Sequence, residues 1–352
     1  MEPQRALQSR VLVQTPGRSC LVRLSDSFEL TMKLFRKFVC AACVFVMLST
    51  FLPVASPAEV PAAGRTDEEI QRLKQRLNSN PKDAEAYSLL CRVYFLLDDW
   101  DNAIANGERA VQLNPDVGSY HLWLGRAYGR KAETVALVTA FTLARKVVKE
   151  FERANALDPN DWSARRDLAD FYVQAPIIVG GGEYKAQRLA NRTQSRDAVG
   201  ASLIRAMAAI SRKDLPEAER QYKIAIQRSE GAAGPWLEMA RFYRDGTRWN
   251  EFDDAVRHAL SSPKKTSEDE FDTGELLGNV GRMLPQAAEA LRLYLRGDTF
   301  DEHANAFRAH YLLGKVLERL GDRQGAIGEY RFSLVIASGY HPAQDALRRL
   351  GA

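Results

Sequence analysis

The chain has 352 residues, of which 27% are charged and 45% are hydrophobic, and its formal net charge is +4. That composition predicts an ordinary globular protein with enough length for one or two buried cores. Because the basic residues form no concentrated stripe in the sequence, we expect no nucleic-acid partner.

Residues 32–58 have the three-part layout of a secretory signal peptide. The basic part consists of Lys33, Arg36 and Lys37. An apolar, uncharged run over 38–52 follows it, and small residues lead up to Ala58. An uncleaved anchor is the alternative, although this run of about 15 residues is shorter than the roughly 20 that a membrane span needs. A cytosolic protein is the third and most remote alternative.

The segments on either side complete the N-terminal organisation. Residues 1–31 carry scattered arginines and no periodic apolar face, so they predict a non-native or disordered extension. Residues 59–65 form a linker to the first predicted helix. We therefore expect an exported protein, periplasmic or secreted, that is cleaved near Ala58 and has no membrane span in its mature form.

The number and position of the cysteines limit the chemistry that we expect of the mature protein. Cys20, Cys40 and Cys43 lie in the segments before the predicted cleavage point, and Cys91 alone follows it. A single cysteine forms no internal disulfide, and we expect no cysteine-based metal site.

A spaced pattern of large and small residues organises the rest of the sequence. It is clearest in Tyr87, Leu90, Cys91, Tyr94, Ala103, Gly107 and Ala110. The same offsets return in His310, Leu313, Gly314, Leu317, Ala326, Tyr330 and Ser333. Steps of three and four residues place each set on one face of a helix, and the small residues mark where two helix axes come close.

This pattern resembles the tetratricopeptide repeat (TPR), a helix–turn–helix unit of about 34 residues. Ala84–Val117 is the best match, and weaker units follow it in register. The resemblance implies an all-α, right-handed superhelical solenoid over 66–352, with six to seven degenerate repeats and a helix at each end. It also implies a concave groove, lined mostly by the first helix of each unit, that binds peptides or assembles protein complexes.

Basic residues recur where the first helices should face the groove. The predicted groove residues are Arg92, Arg126, Arg130, Arg166, Arg241, Arg244, Lys315 and Arg319. Guanidinium groups bind carboxylates bidentately, so this basic ladder suits an acidic peptide or the C-terminal carboxylate of a partner protein. The alternative is a solvated face whose cations pair with neighbouring acids. The carboxylate-clamp pattern of chaperone-binding TPR proteins is not matched.

Two segments are longer than a standard unit. Residues 134–144 are uncharged, and they either lengthen the second hairpin or form an apolar tip for a partner. The stretch with Gly180, Gly181 and Gly182 resembles a phosphate-binding loop when it is taken alone. Its position in the repeat register predicts instead an enlarged loop between two helices. We expect Ile177, Ile178 and Val179 to pack back onto the solenoid.

Catalytic patterns are weak. No two histidines have the four-residue spacing of a helical zinc site, and His121 and His310 fall on packing positions. We therefore expect a non-enzymatic scaffold without cofactor or metal, which binds a protein or peptide partner. An accessory subunit of a cell-envelope assembly or export machine is the alternative, and an enzyme with a dispersed site is a remote one.

Overall fold

The computed structural model describes residues 66–297 and 306–352 of this protein. The described residues all belong to one compact unit, Glu59–Ala352. The predicted extension (1–31), signal peptide (32–58) and linker (59–65) lie outside the described residues. Within the described ranges the fold is all-α, as predicted, with 16 α-helices and no strand. No described helix is both long and apolar enough to cross a membrane.

The described helices form seven hairpins, with α1 before the first and α16 after the last. Their bounds are α1 Thr66–Ser79, α2 Ala84–Leu96, α3 Trp100–Leu113, α4 Gly118–Ala132, α5 Leu137–Leu157, α6 Trp162–Gln174, α7 Glu183–Thr193, α8 Ala198–Ser211, α9 Leu215–Arg228, α10 Gly234–Asp245, α11 Trp249–Leu260, α12 Ser267–Val280, α13 Leu284–Arg296, α14 Ala306–Arg319, α15 Arg323–Ile336 and α16 His341–Leu350. The pairs from α2–α3 to α14–α15 are the hairpins, and each packs on its neighbours in sequence order. This arrangement is a helical solenoid.

Aspartates begin many of these helices. The Asp83 side chain accepts from the backbone N–H of Ala86 at the start of α2, and Asp99 accepts from Asn102 at the start of α3. Such caps satisfy backbone N–H groups that have no partner inside the helix. The same role recurs at Asp161, Asp197, Asp214 and Asp322. The repeated aspartate therefore helps to fix where these six helices begin.

Glycines allow the two helices of a hairpin to approach closely. A Cβ at Gly125 would lie 2.6 Å from the Phe151 ring, and one at Gly314 would lie 2.6 Å from the Tyr330 ring. Real Cβ atoms do not approach this closely, so a larger residue would push the helices apart. The prediction that small residues mark close helix contacts is correct at these positions.

The hairpins curve with their first helices on the inner side. Several first helices also contact the first helix of the next hairpin: α2 with α4, α6 with α8, α10 with α12 and α12 with α14. Buried side chains connect α4 to α8 in one core and α8 to α16 in another, and α1 packs on α2 through Ile70 and Leu73. The core of the described residues therefore consists of several clusters along the array, and the two largest both include residues of α8.

The array closes on itself. Leu96 at the end of α2 is buried in one cluster with Phe307 of α14 and Tyr340 just before α16. At the same junction, the backbone N–H of Ser338 donates to the Asp67 carboxylate at 3.0 Å. The first and last hairpins are thus neighbours.

The two enlarged segments differ in part from their predictions. The extra length of the second hairpin falls mainly in α5, whose first residues Leu137 and Val138 are 85% and 82% exposed. Of the three apolar residues before the glycines, Val179 is buried, whereas Ile177 and Ile178 are 73% and 68% exposed. The expectation that all three pack back onto the solenoid is therefore wrong for both isoleucines, because the 3₁₀ turn they form directs them to solvent.

Candidate functional site

A cleft of ≈ 440 Å³ opens on the inner face where the array closes. Its walls come from α2, α4, α5 and α6 on one side and from α14 on the other. Three predicted groove residues, Arg92, Arg126 and Arg130, line it. Arg308 of α14 lines it as well, and the repeat pattern did not single that residue out.

Aromatic side chains stand between the arginines. Trp123 has the Arg92 guanidinium carbon 5.2 Å from its ring centroid and that of Arg126 at 4.7 Å. Phe95 packs edge-on against Trp123 with a centroid separation of 5.4 Å. A guanidinium beside an aromatic ring keeps its charge while its planar group is held by the ring face. The Trp123 ring thereby holds two cations of the cleft in place.

Acidic residues offset part of this positive charge. The Arg126 Nε donates to Asp167 at 2.6 Å, and Arg130 pairs with Glu133 at 2.5 Å. Burial raises the pKa of the Asp170 carboxyl, although the nearby Arg166 guanidinium opposes that shift. The cleft is therefore a mixed, arginine-rich surface and not a uniformly basic one.

The other predicted groove residues lie elsewhere along the inner face. Arg166 pairs with Glu238 at 2.9 Å, and Arg241 contacts Glu238 at 3.0 Å and Asp272 at 2.6 Å. The Arg166–Glu238 pair connects α6 with α10, two hairpins further on, whereas Arg241 pairs within α10 through Glu238 and with α12 through Asp272. This outcome matches the alternative in which groove cations pair with neighbouring acids.

The last three predicted groove residues also have local partners. Arg244 pairs with the adjacent Asp245 at 2.7 Å. Lys315 donates to the Asn279 side chain at 3.3 Å, and Arg319 donates to the Gly278 carbonyl. Burial lowers the pKa of the Lys315 amine. The structure thus brings together Arg92, Arg126 and Arg130 but does not extend them into one ladder.

The cysteine and histidine side chains that are best suited to catalysis are buried in the fold or hydrogen-bonded to its residues. Burial raises the pKa of the Cys91 thiol to about 12, so this thiol stays protonated at neutral pH. His121 is buried with Glu150 at 2.5 Å and the Pro115 carbonyl at 2.9 Å. In the described part of the protein, no group of three His, Cys, Asp or Glu side chains could hold a metal ion.

Neither a scan against protein-family models nor a search of curated proteins found a match to this protein. Among solved structures, it is similar to yeast Tom70, with 13% identity and a TM-score of 0.45 over 85% of this chain and 68% of that one. It is similar to YrrB, described as a TPR protein with an unusual peptide-binding site, with 12% identity and a TM-score of 0.33 over 69% of this chain and 97% of that one.

Human IFIT1, solved as a dimer with m7Gppp-AAAA, has 16% identity and a TM-score of 0.38 over 77% of this chain and 68% of that one. Similarity at this level supports no inference about what this protein binds. The pairing of successive helices in this protein shows the all-α solenoid fold.

Proposed function

We propose that this protein is a non-enzymatic scaffold that binds an acidic peptide segment of a partner protein in the inner-face cleft. The observation that carries this proposal is the set of four arginines, from α2, α4 and α14, around the rings of Phe95 and Trp123. Arginine and aromatic side chains dominate the energetics of protein interfaces. Arginine also matches the planar geometry of carboxylates.

The arrangement of the cleft favours an extended segment as its ligand. Its cations come from helices far apart in sequence, so a ligand that contacts all of them has to bridge the closed junction of the array. The cleft acids Glu133 and Asp167 already hold Arg130 and Arg126. A peptide carboxylate therefore competes with internal partners, which favours an acidic ligand that offers several carboxylates at once.

Fluorescence anisotropy with a labelled peptide of Asp and Glu residues around one Trp tests this function. We expect saturable binding that weakens at least about tenfold when Arg92 and Arg130 are both changed to Gln, since two charged hydrogen bonds are lost. Arg220→Gln is the control, because Arg220 lies on the outer helix α9 and is 63% exposed. Equal binding of a matched Lys-rich peptide, or an unchanged affinity in the double variant, contradicts the proposal.

We further propose that the protein is exported and that residues 32–58 act as its signal peptide. The support is the basic, apolar and small-residue layout of the sequence alone. Mass spectrometry of the protein purified from its native host tests this step. A mature N-terminus directly after Ala58 is expected, and a mature protein that retains residues 38–52 contradicts it.

A further inference from the structure

A second cleft, of ≈ 560 Å³, lies between α5, α6 and α7 on the outer side of the third hairpin. Its α7 wall carries Lys185, Arg188 and Arg192, and Arg196 follows just after the helix. These cations are spaced by three or four residues, so they line one face of the helix. Glu152 is the acidic residue of the lining.

This cluster is short of counter-charge. Glu152 accepts from the Tyr172 hydroxyl at 2.8 Å and lies 3.7 Å from Lys185. No carboxylate of the described residues lies within ion-pair distance of Arg188, Arg192 or Arg196. Like charges at these spacings repel one another and destabilise a helix. A bound anion would relieve that repulsion.

The preceding hairpin shows how two of the same positions can be neutralised. When the buried Val147, Phe151 and Ala154 of α5 are aligned with Ala186, Ala190 and Thr193 of α7, Lys146 corresponds to Lys185 and Arg153 to Arg192.

In that hairpin both cations have acidic partners. Lys146 pairs with Glu108 at 3.1 Å, and Arg153 pairs with Asp116 at 2.7 Å. Asp116 follows Pro115, whereas the residue that follows Pro159 in the next repeat is Asn160. The third hairpin therefore keeps the arginine and loses its carboxylate.

A cleft at the corresponding place in the fifth hairpin has a mixed charge, with Glu251 and Asp254 beside Lys223 and Arg257 in its lining. It measures ≈ 580 Å³ and lies between α9, α10 and α11. Aligning the buried Ala186, Leu189 and Ala190 with Phe252, Ala255 and Val256 puts Glu251 and Asp254 at the positions of Lys185 and Arg188. The positive cleft is thus a property of the third hairpin and not of the repeat.

Arg165 and the glycine-rich loop also restrict the geometry of the cleft. Arg165 is 3% exposed, pairs with Asp197 and donates to the Pro159 carbonyl at 2.6 Å, so its side chain is held in place in the wall and Asp197 offsets its charge. Lys185 donates to the Gly180 carbonyl at 2.8 Å, which links the glycine-rich loop to the cleft. The loop thereby limits the positions that the Lys185 amine can reach.

We propose that this cleft binds a phosphate group carried by a small molecule, with Arg188 and Arg192 as its main donors and Lys185 and Arg196 beside them. A phosphate offers more acceptor oxygens than a carboxylate and a higher charge, so it suits several converging cations. The volume of the cleft is within the range of small-molecule sites. This inference is independent of the peptide-binding function proposed for the inner face.

Isothermal titration calorimetry with pyrophosphate, at constant ionic strength, tests the site. We expect one saturable site that binds pyrophosphate more tightly than succinate. Changing Arg188 and Arg192 to Gln should weaken the affinity at least about tenfold, because two charged hydrogen bonds are lost. Asn160→Asp should weaken it as well, since it restores the carboxylate that the preceding hairpin has.

The matched control changes Lys149 and Arg153 to Gln, at the corresponding positions of α5, and should leave the affinity unchanged. The four substituted cations Arg188, Arg192, Lys149 and Arg153 are exposed, so circular dichroism should show an intact fold in both double variants. An unchanged affinity in the Arg188 and Arg192 variant, or an equal loss in the control, overturns the proposal. Binding to phosphatidic acid vesicles without binding to pyrophosphate overturns the small-molecule ligand.

Discussion

His121 and His310 occupy corresponding positions of two hairpins, but their surroundings differ. His121 is 5% exposed and pairs with Glu150, itself 9% exposed. His310 pairs with Glu329 at 2.6 Å where both side chains are more than a fifth exposed. Both residues therefore serve packing, as the sequence pattern indicated, and they differ in how much water their carboxylate partner retains.

His121→Ala should lower the free energy of unfolding by about 3 kcal/mol, because it leaves the Glu150 carboxylate buried without its partner. Urea denaturation measures this loss. His310→Ala is the control and should cost about 1 kcal/mol, since Glu329 keeps contact with solvent. Changing His121 and Glu150 together to Leu should be less harmful than His121→Ala alone. A double variant that is at least as unstable contradicts the explanation.

Residue identity alone did not reveal the ion pairs of the inner face. The positions of Arg166 and Arg241 were predictable from the repeat register. Their shared partner Glu238 was not, since the pairing of α6 with α10 depends on the curvature of the array. By contrast, the change from Asp116 to Asn160 is visible in the sequence once the repeats are aligned.

At the scale of helices, local sequence determines most of the structure. The spacing of small and large residues predicts six to seven helix pairs because it reports which face of a helix is buried. The enlarged loop after α6 was placed correctly for the same reason. The exposure of Ile177 and Ile178 was not predictable, since it depends on the 3₁₀ turn that these residues form within the enlarged loop.

Two glycines of the last hairpin provide a test of helix packing. Gly314→Ala should lower the free energy of unfolding by about 1–3 kcal/mol, because its Cβ would overlap the Tyr330 ring. Gly328→Ala is the control, since nothing lies within 4 Å of a Cβ there. This second change should stabilise the protein by about 0.5–1 kcal/mol through the higher helix propensity of alanine. Thermal unfolding of both variants checks the opposite signs.

At the scale of the whole molecule, the junction between the first and last hairpins is the feature that the repeat pattern does not reveal. Small angles between successive hairpins add up along the array, and no single repeat encodes their sum. Arg308 was not recognised as part of the candidate site for this reason. Its neighbours across the cleft, such as Arg92, lie far away in sequence.

Leu96→Asp should open the array, because it places a charge in the apolar contact with Phe307 and Tyr340. Small-angle X-ray scattering should then show a larger radius of gyration with unchanged helix content. Leu293→Asp is the control, as Leu293 is 40% exposed on α13. If the Leu96 variant keeps the dimensions of the original protein, the junction does not hold the array closed.

The contact between the first and last hairpins also changes how we expect the protein to unfold. In an open solenoid the end repeats have one neighbour each, so they unfold before the middle. Here the end hairpins share the cluster around Leu96 and the hydrogen bond between Ser338 and Asp67, so each has a second neighbour. Amide protons of α2 and α15 should therefore exchange as slowly as those of α8, through cooperative unfolding of the whole ring.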